Sequence, residues 1–264
     1  MSTTVRQIVE ILLGAVPGDR PGDTVDTLKC GDPEMPVTGI ASCFLCTQEV
    51  ARQAVARGAN LILTHEPVYY NHRDERESLA GDPVVQAKRE YFEQHGLAVF
   101  RYHDFWHRTV PDGILTGMVR RLGWERWQNG AGSHFFTLPA ISTRALAAVI
   151  KERLGIGYVR ATGELDAAVT RVCLHPGFGG YTHLPRLLQT EDTELLIVGE
   201  THEWETPEYV RDAATQGRRK ALVVLGHAAS EEAGMVYLLE WLRPQLPEAI
   251  ALHHIPSGSP LEWL

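Results

Sequence analysis

The sequence predicts an α/β protein of two similar three-layer lobes, each with a mixed, mostly parallel sheet. Short apolar runs alternate with helix-like segments along the whole chain, and this alternation favours parallel strands covered by helices. Both halves also contain apolar runs that lead directly into histidine and glutamate. The stretch 124–133, rich in Gly, Trp and polar residues, separates the halves. We therefore expect an N-terminal lobe over 1–130 and a C-terminal lobe over 131–264.

The predicted helices begin and end at recognisable signals. Val5–Leu13 has an amphipathic pattern and stops before Gly14. Thr47 and Asp82 are N-cap residues, and proline follows Asp82 at the first helical position. The helices expected in chain order are 5–13, 47–57, 83–95, 113–122, 143–154, 184–189, 206–216 and 227–242.

The predicted strands are apolar runs bounded by glycine, proline or polar residues. We expect Tyr158–Thr162 to lie at the edge of its sheet. The strands expected in chain order are 37–45, 61–64, 97–102, 158–162, 169–174, 194–198, 221–225 and 249–255.

Cysteine usage indicates a reducing compartment and no redox site. Four cysteines are too few for a disulfide scaffold of 264 residues, so we expect a cytoplasmic protein. Cys43 and Cys46 form a lone CxxC motif in a predicted strand. Because residues three apart on a strand point to opposite faces, the two thiols should diverge and remain ordinary buried cysteines.

Composition argues against two classes of partner. The formal net charge of -8 disfavours nucleic-acid binding, which usually needs a basic face. No apolar run reaches the roughly 20 residues that span a membrane. The N-terminus carries Arg6 and Glu10 within its apolar pattern, which indicates an amphipathic helix and not a signal peptide. We therefore expect neither a membrane nor a nucleic acid as partner.

Histidine and acidic residues gather at three predicted strand ends. The segments are His65-Glu66, His103–His107 and His227–Glu231. In α/β sheets, ligands bind beyond the carboxyl ends of the strands. Mixed imidazole and carboxylate ligands suit zinc, manganese, iron, cobalt or nickel. The three segments together predict a two-metal site.

The segment that contains His227 and Glu231 can also be interpreted on its own. The two residues are four apart, so a helix would place both side chains on one face. The alternative is an ordinary helix start, capped by Ser230 or Glu231, with His227 in a solvated loop. The recurrence of the pattern at other strand ends favours the metal site.

Four segments resemble the Nif-three-like dinuclear metal-centre proteins. They are Ala59–Tyr69, Phe100–His107, Ile197–His202 and Gly226–Glu231, in the order that the family has them. The resemblance covers nearly the whole chain, and the last segment matches the motif Gly-His-x-x-[Ser/Thr]-Glu. It implies a two-lobed α/β fold, two divalent ions per chain in the cleft between the lobes, and a homohexamer. Some members of the family carry a GTP cyclohydrolase label.

The resemblance also implies which residues bind the ions. The expected metal ligands are His65, Glu66, His107, His227 and Glu231, with Glu231 bridging the two ions. The chain departs from the family twice, because Glu66 replaces a usual histidine and His107 replaces a usual aspartate. The two changes compensate, since the set still comprises three imidazoles and two carboxylates. A retained but altered site is therefore expected.

Three further residues are candidates for catalysis. The resemblance places His103 close to the ligands, and Glu200 and His202 lie in a segment that follows a predicted strand. We expect them to transfer protons or to orient ligands. The alternative for each is a structural hydrogen bond at a strand end.

These expectations predict a metal-dependent hydrolase that acts on a small molecule such as a nucleotide or another phosphate-bearing compound. Two divalent ions would activate water and attract an anionic substrate. The alternative is a non-catalytic metal-binding protein with a regulatory, storage or partner-binding role. An open coordination position beside a reachable cavity would favour the enzyme, and closed coordination would favour the alternative.

Overall fold

The computed structural model describes residues 2–16, 18, 22–75, 79–180 and 183–261, and it confirms the α/β prediction. The helices are α1 Val5–Leu13, α2 Gln48–Ala56, α3 Pro83–Gln94, α4 Asp104–Arg108, α5 Gly113–Leu122, α6 Thr143–Leu154, α7 His183–Gln189, α8 Thr206–Thr215 and α9 His227–Leu242. The strands are β1 Leu28–Cys30, β2 Gly39–Cys43, β3 Leu61–Thr64, β4 Ala98–Arg101, β5 Phe135–Ser142, β6 Arg160–Gly163, β7 Ala168–Phe178, β8 Leu195–Glu200, β9 Ala221–Val224 and β10 Ala251–His254. Among the described residues, no helix is long and apolar enough to cross a membrane.

Two five-stranded sheets form the framework. The first has the strand order β1-β4-β3-β2-β10, with β1 antiparallel at one edge and the other strands parallel. The second has the order β5-β7-β8-β9-β6, with β7, β8 and β9 parallel and both edge strands antiparallel. The strand expected near 158–162 is β6, and it lies at a sheet edge as predicted. The carboxyl ends of the parallel strands therefore share one edge of each sheet.

The chain divides into two compact units, each with one sheet. Unit 1 comprises Met1–Gly113 and Gly234–Ser257, and unit 2 comprises Ile114–Ala233 and Gly258–Leu264. These units differ from the predicted halves 1–130 and 131–264 in two places: residues 114–130, with most of α5, lie in unit 2, and Gly234–Ser257, with β10, lies in unit 1. Because β10 pairs in parallel with β2, it belongs to the first sheet. Helix α9 begins in unit 2 and ends in unit 1.

Local signals account for the helix starts. Thr4 and Gln7 exchange side-chain to backbone hydrogen bonds, which form a capping box before α1. The side chains of Thr47 and Asp82 accept hydrogen bonds from N–H groups in the first turns of α2 and α3, as predicted. A cap of this kind contributes about 1 kcal/mol to stability.

The central strands are buried on both faces. Every residue of β2, β3 and β9 is buried, which is typical of parallel strands covered by helices on both sides. In unit 2, one apolar cluster joins the sheet to α5 and α6, and a second joins its other face to α7 and α8. In unit 1, α2 and α3 pack on one face of the sheet. This burial fixes where each strand ends, and thus where the polar residues after it lie.

Candidate metal centre

Two adjacent parallel strands of unit 1 each lead into a histidine. Thr64 and Arg101, the last residues of β3 and β4, are paired in register. His65 follows β3 at once, and His103 follows β4 after one intervening residue. Their rings stack with centroids 4.5 Å apart. The alignment of the two strand ends thus brings together side chains that are 38 positions apart in the sequence.

A short helix adds a third imidazole. His103 is the N-cap of α4, and His107 lies one turn further along the same helix. The His107 ring is 5.0 Å from the ring of His103 and 5.0 Å from that of His65, measured between centroids. The three residues each offer one ligand atom, and these atoms lie within 4.8 Å of one another. The arrangement can therefore hold a metal ion.

Asp26 fixes the start of α4. Its carboxylate accepts hydrogen bonds from the backbone N–H groups of His103, Asp104 and Phe105, at 2.8 to 2.9 Å. Burial raises the pKa of Asp26, and these three backbone bonds oppose that rise. A carboxylate on exposed N–H groups is the favoured cap of a helix N-terminus. Asp26 thereby sets the positions of both histidines on α4.

Each of the three imidazoles has a partner on Nδ1. His65 Nδ1 lies 3.1 Å from the carbonyl oxygen of Tyr102, which can only accept, so this nitrogen carries the proton. His103 Nδ1 donates to Asp104 at 3.0 Å, and His107 Nδ1 donates to Asp112 at 2.9 Å. Metal-binding histidines are usually oriented in this way, with Nε2 as the ligand atom. Donor chemistry and ring orientation therefore both fit a metal.

A carboxylate stands beside the three imidazoles. One oxygen of Glu66, Oε1, is 3.8 Å from His103 Nε2. Its other oxygen, Oε2, is 3.2 Å from the guanidinium of Arg101, whose side chain is wholly buried. Glu66 itself is 13% exposed. Unit 1 thus gathers three nitrogen donors and an oxygen donor at one sheet edge.

Unit 2 carries a second group of histidine and glutamate. Glu200 ends β8 and His227 follows the neighbouring parallel strand β9. His227 Nδ1 donates to Glu200 at 2.9 Å, while His227 Nε2 lies 3.3 Å from a carboxylate oxygen of Glu231. An imidazole that faces carboxylates on both nitrogens needs a second proton or a cation on Nε2. The hydrogen bond from His227 lowers the pKa of Glu200 below its ordinary value.

Helix α9 begins at His227, and it places the side chains of His227 and Glu231 on one face, as predicted from their spacing. Ser230 also stabilises this region, although it lies within the first turn of α9 and is not its N-cap residue. Its hydroxyl donates to the carbonyl of His227 at 2.7 Å and accepts the N–H of Gly177 at 2.9 Å. Ser230 therefore connects the start of α9 to the last residues of β7.

The backbone near the end of β7 requires a glycine at position 177. Its φ is +76°, and a Cβ there would meet Glu231 Oε1 at 2.2 Å. The backbone of β7 thus approaches the carboxylate more closely than any side chain would allow. Sequence reasoning did not assign this role, although a glycine between proline and phenylalanine near a strand end is a usable signal for a close approach.

His202 is the expected catalytic residue with the weakest structural support. Its side chain is 52% exposed, and Nδ1 donates to Glu205 at 2.8 Å. Its ring stacks on the exposed ring of Trp204. These contacts match the alternative of a structural hydrogen bond at a strand end. A catalytic role for His202 stays a prediction.

Three other histidines of unit 2 form a separate group. His175, near the end of β7, has ring centroids 5.7 Å from His134 and 5.0 Å from His183. His134 Nδ1 donates to the carbonyl of Leu174 at 2.9 Å. Burial, together with the two neighbouring imidazoles, lowers the pKa of His175 to about 4. His175 is therefore neutral near pH 7.

The CxxC motif holds two buried cysteines, as predicted, but their side chains do not diverge. β2 ends at Cys43, and the chain turns before Cys46, so strand alternation does not apply to the pair. The Cys43 thiol forms a hydrogen bond with the Cys46 sulfur and lowers the pKa of Cys46. Both cysteines are buried and present as free thiols.

Comparison with known sequences identifies a family. A family model described as Duf34/NIF3 (NGG1p interacting factor 3) matches residues 3–259. A "GTP cyclohydrolase 1 type 2 homolog" of Clostridium perfringens is 23% identical over 231 residues, which cover 83% of each chain. A relative of the same name from Clostridium acetobutylicum is 22% identical over 247 residues, covering 89% of this chain and 85% of its own. The predicted resemblance is confirmed.

Solved structures show the same fold. A Bacillus cereus protein related to NIF3 superposes with a TM-score of 0.78 at 13% identity, with 100% of both chains covered. A hypothetical protein of Staphylococcus aureus gives 0.76 at 14% identity, again over 100% of both chains. The architecture is therefore common to proteins that share few residues with this chain.

Proposed function

The chain belongs to the Duf34/NIF3 family, and we propose that it is a metal-dependent hydrolase of small phosphate-bearing molecules. The observation that carries this proposal is the cluster of His65, His103 and His107, whose ligand atoms lie within 4.8 Å of one another. Three protein ligands with a remaining open position are typical of catalytic zinc sites, whereas structural sites have four. An open position is where water and substrate would bind.

We propose that each chain holds two divalent ions among zinc, manganese, iron, cobalt and nickel. The ligand set is the one that the resemblance implies, with His103 added because its ring lies within the unit 1 cluster. The ligands are His65, Glu66, His103 and His107 in unit 1, and His227 and Glu231 in unit 2. A bound divalent ion supplies Lewis acidity and lowers the pKa of water. That one centre draws ligands from both units stays a prediction.

The protein's own groups have defined tasks in this scheme. Each of the three imidazoles of unit 1 donates its Nδ1 proton to an acceptor: the carbonyl of Tyr102, or the carboxylate of Asp104 or Asp112. Nε2 therefore remains the basic nitrogen. In unit 2, the Glu200 carboxylate holds the proton on His227 Nδ1. Because burial of Glu231 is nearly complete, its negative charge favours a bound cation. Glu200, which is half exposed, can pass a proton to solvent or to a leaving group.

The names of the two clostridial relatives suggest a first substrate. Both are called GTP cyclohydrolase 1 type 2 homologs, so GTP belongs in the test beside simple phosphomonoesters and phosphodiesters. The chain would be assayed with each of the five metals in turn, as wild type and as His107→Ala. His95→Gln is the matched control, because His95 is an exposed histidine of unit 1 outside the cluster.

We expect hydrolysis by the wild type and by His95→Gln, and a loss of at least about 100-fold in His107→Ala. Hydrolysis that persists in His107→Ala would contradict the proposal. A chain that binds metal and hydrolyses no substrate in the panel would favour the alternative role in metal storage or regulation.

The proposed assembly follows from the family resemblance, and the proposed location follows from cysteine usage. The family resemblance implies a homohexamer, which native mass spectrometry of the purified chain would test directly. The cytoplasmic location rests on cysteine usage and stays a prediction.

A further inference from the structure

Arg101 links the end of β4 to the metal cluster. Its side chain is wholly buried, and its Nη2 atom is 3.2 Å from Glu66 Oε2. Its Nε atom donates to the carbonyl of His65 at 3.1 Å, and Nη1 donates to the carbonyl of His72. One guanidinium thus contacts both members of the His65-Glu66 pair.

The charge on Glu66 is compensated within the protein. Asp74 is 3.7 Å from Arg101 and 3.1 Å from Lys29, measured between carboxylate oxygen and side-chain nitrogen. The side chains of Lys29 and Asp74 are 7% and 3% exposed. Two cations therefore face two carboxylates in a buried network, as burial of charge requires. Glu66 is balanced whether or not an ion is bound.

The network also fixes which way Glu66 faces. Oε2 is engaged by the guanidinium, whereas Oε1 is the oxygen turned toward His103 Nε2, at 3.8 Å. A carboxylate that chelates one ion uses both of its oxygens. A carboxylate held by arginine on one oxygen offers the other alone.

Building on the metal centre proposed above, we propose that Arg101 is a positioning residue that presents Glu66 as a one-oxygen, charge-compensated ligand and thereby favours zinc over manganese. Imidazole nitrogens and a single carboxylate oxygen are ligands that suit zinc, and a carboxylate that uses one oxygen leaves the open position of a catalytic site unfilled. Manganese prefers sites richer in oxygen. In the family resemblance a neutral histidine occupies the position of Glu66, so the Glu66–Arg101 pair supplies a ligand without adding net charge.

The test is a double-mutant cycle on the full chain. Dissociation constants for zinc and for manganese would be measured for Arg101→Met in the wild-type background and in Glu66→Gln, which keeps the side-chain shape and removes the charge. Both backgrounds lose the bonds from Arg101 to the carbonyls of His65 and His72, so the cycle isolates the pair. Arg52→Met, on the exposed surface of α2, is the matched control.

We expect Arg101→Met to weaken zinc binding about tenfold and to narrow the preference over manganese in the wild-type background. In the Glu66→Gln background, the same change should alter zinc binding less than about threefold. If Arg101→Met does not fold, Arg101→Lys carries the same cycle, because lysine keeps the charge and lacks the planar fork that contacts Glu66 and two carbonyls at once.

A spectroscopic readout separates positioning from mere structural support. Cobalt absorbs visible light more strongly in four-coordinate than in higher-coordinate sites. We expect the cobalt-loaded wild type to show the stronger absorption and Arg101→Met to lose it, because freed Oε2 can then join the coordination.

Equal losses of zinc affinity in both backgrounds would overturn the inference. Arg101 would then act only through its hydrogen bonds to the carbonyls of His65 and His72. So would a cobalt spectrum that Arg101→Met leaves unchanged. A wild-type chain that binds neither zinc nor manganese would overturn the proposed metal centre and this inference with it. Zinc binding without coupling between Arg101 and Glu66 would overturn this inference only.

Discussion

The two units treat histidine differently at the ends of their parallel strands. In unit 1, three imidazoles each place Nδ1 on an acceptor, and their remaining ligand atoms face one another. In unit 2, His227 lies 2.9 Å from the Glu200 carboxylate through Nδ1 and 3.3 Å from the Glu231 carboxylate through Nε2. Unit 1 therefore supplies mainly imidazole nitrogens, with the Glu66 carboxylate held by Arg101, whereas unit 2 places two carboxylates around one imidazole. The two groups would therefore contribute differently to a bound metal: unit 1 mainly directional nitrogen ligands, and unit 2 mainly negative charge.

The largest effect is expected from Gly177→Ala in unit 2. Its φ of +76° and a Cβ 2.2 Å from Glu231 Oε1 would force the carboxylate away. We expect a loss of about 3 kcal/mol in the free energy of unfolding, measured by urea denaturation. Gly180→Ala, two residues after β7, is the control, because a Cβ there meets no described atom within 4 Å. Equal stability of the two variants would show that Glu231 does not depend on this close approach.

The second prediction concerns the support of the unit 1 cluster. Asp26→Ala removes the acceptor of three N–H groups at the start of α4. We expect a loss of about 2 kcal/mol in unfolding free energy, together with weaker metal binding, because both histidines of α4 lose their anchor. Thermal unfolding and zinc titration would measure the two effects. Asp32→Ala, in an exposed loop of the same unit, is the control; a metal affinity that Asp26→Ala leaves intact would contradict the role given to α4.

The free energy of unfolding should depend on pH through His175 in unit 2, which is neutral in the folded chain. The unfolded chain protonates this histidine below its ordinary pKa of 6.5, whereas in the folded chain its pKa is about 4. The stability that depends on a neutral His175 is therefore fully present above pH 6.5 and is lost as the pH falls toward 4. Allowing for partial exposure, we expect a decrease of about 2 kcal/mol over that range.

Denaturation curves at several pH values would measure this slope. His175→Gln should flatten it, because glutamine does not titrate, while the exposed His95→Gln should leave it unchanged. An unaltered slope in His175→Gln would assign the pH dependence to other groups.

The smallest expected effects are on zinc affinity, and they come from removing the carboxylate that binds Nδ1 of a histidine in each unit. Asp112→Ala removes the acceptor that orients His107, and we expect zinc affinity to fall about tenfold. Glu200→Ala removes the corresponding partner of His227, but Glu200 is half exposed and water can replace it, so a fall of about threefold is expected. Calorimetric zinc titration would compare them. The reverse ranking would mean that orientation matters more in unit 2.

Most of the fold was predictable because its signals are local. Val5–Leu13 and Leu61–Thr64 have the predicted bounds, and Asp82 caps α3 as its side chain and the following proline indicate. The missed elements lack such signals. β1 is three residues long, includes the buried Lys29, and is stabilised by pairing with β4, which lies some 70 positions later.

The site was predictable only in part. Histidine and acidic residues at strand ends predict three candidate segments, His65-Glu66, His103–His107 and His227–Glu231, because parallel strands end on the same side of a sheet. The helix α4, which makes His103 and His107 neighbours, depends on Asp26, and no local pattern connects residues 77 positions apart. The Arg101–Glu66 pair likewise exists only because β3 and β4 are adjacent in the sheet. Partners that lie on different strands require the tertiary fold.

Metal content per chain tests the central claim most directly. The protein would be purified without added metal and analysed for its elements, as wild type, His103→Ala and the His95→Gln control. We predict about two divalent ions per chain in the wild type and in the control, and fewer than about one in His103→Ala with its secondary structure intact. A wild type without metal, or a His103→Ala variant with full metal content, would contradict the assignment of the unit 1 histidines as a metal centre.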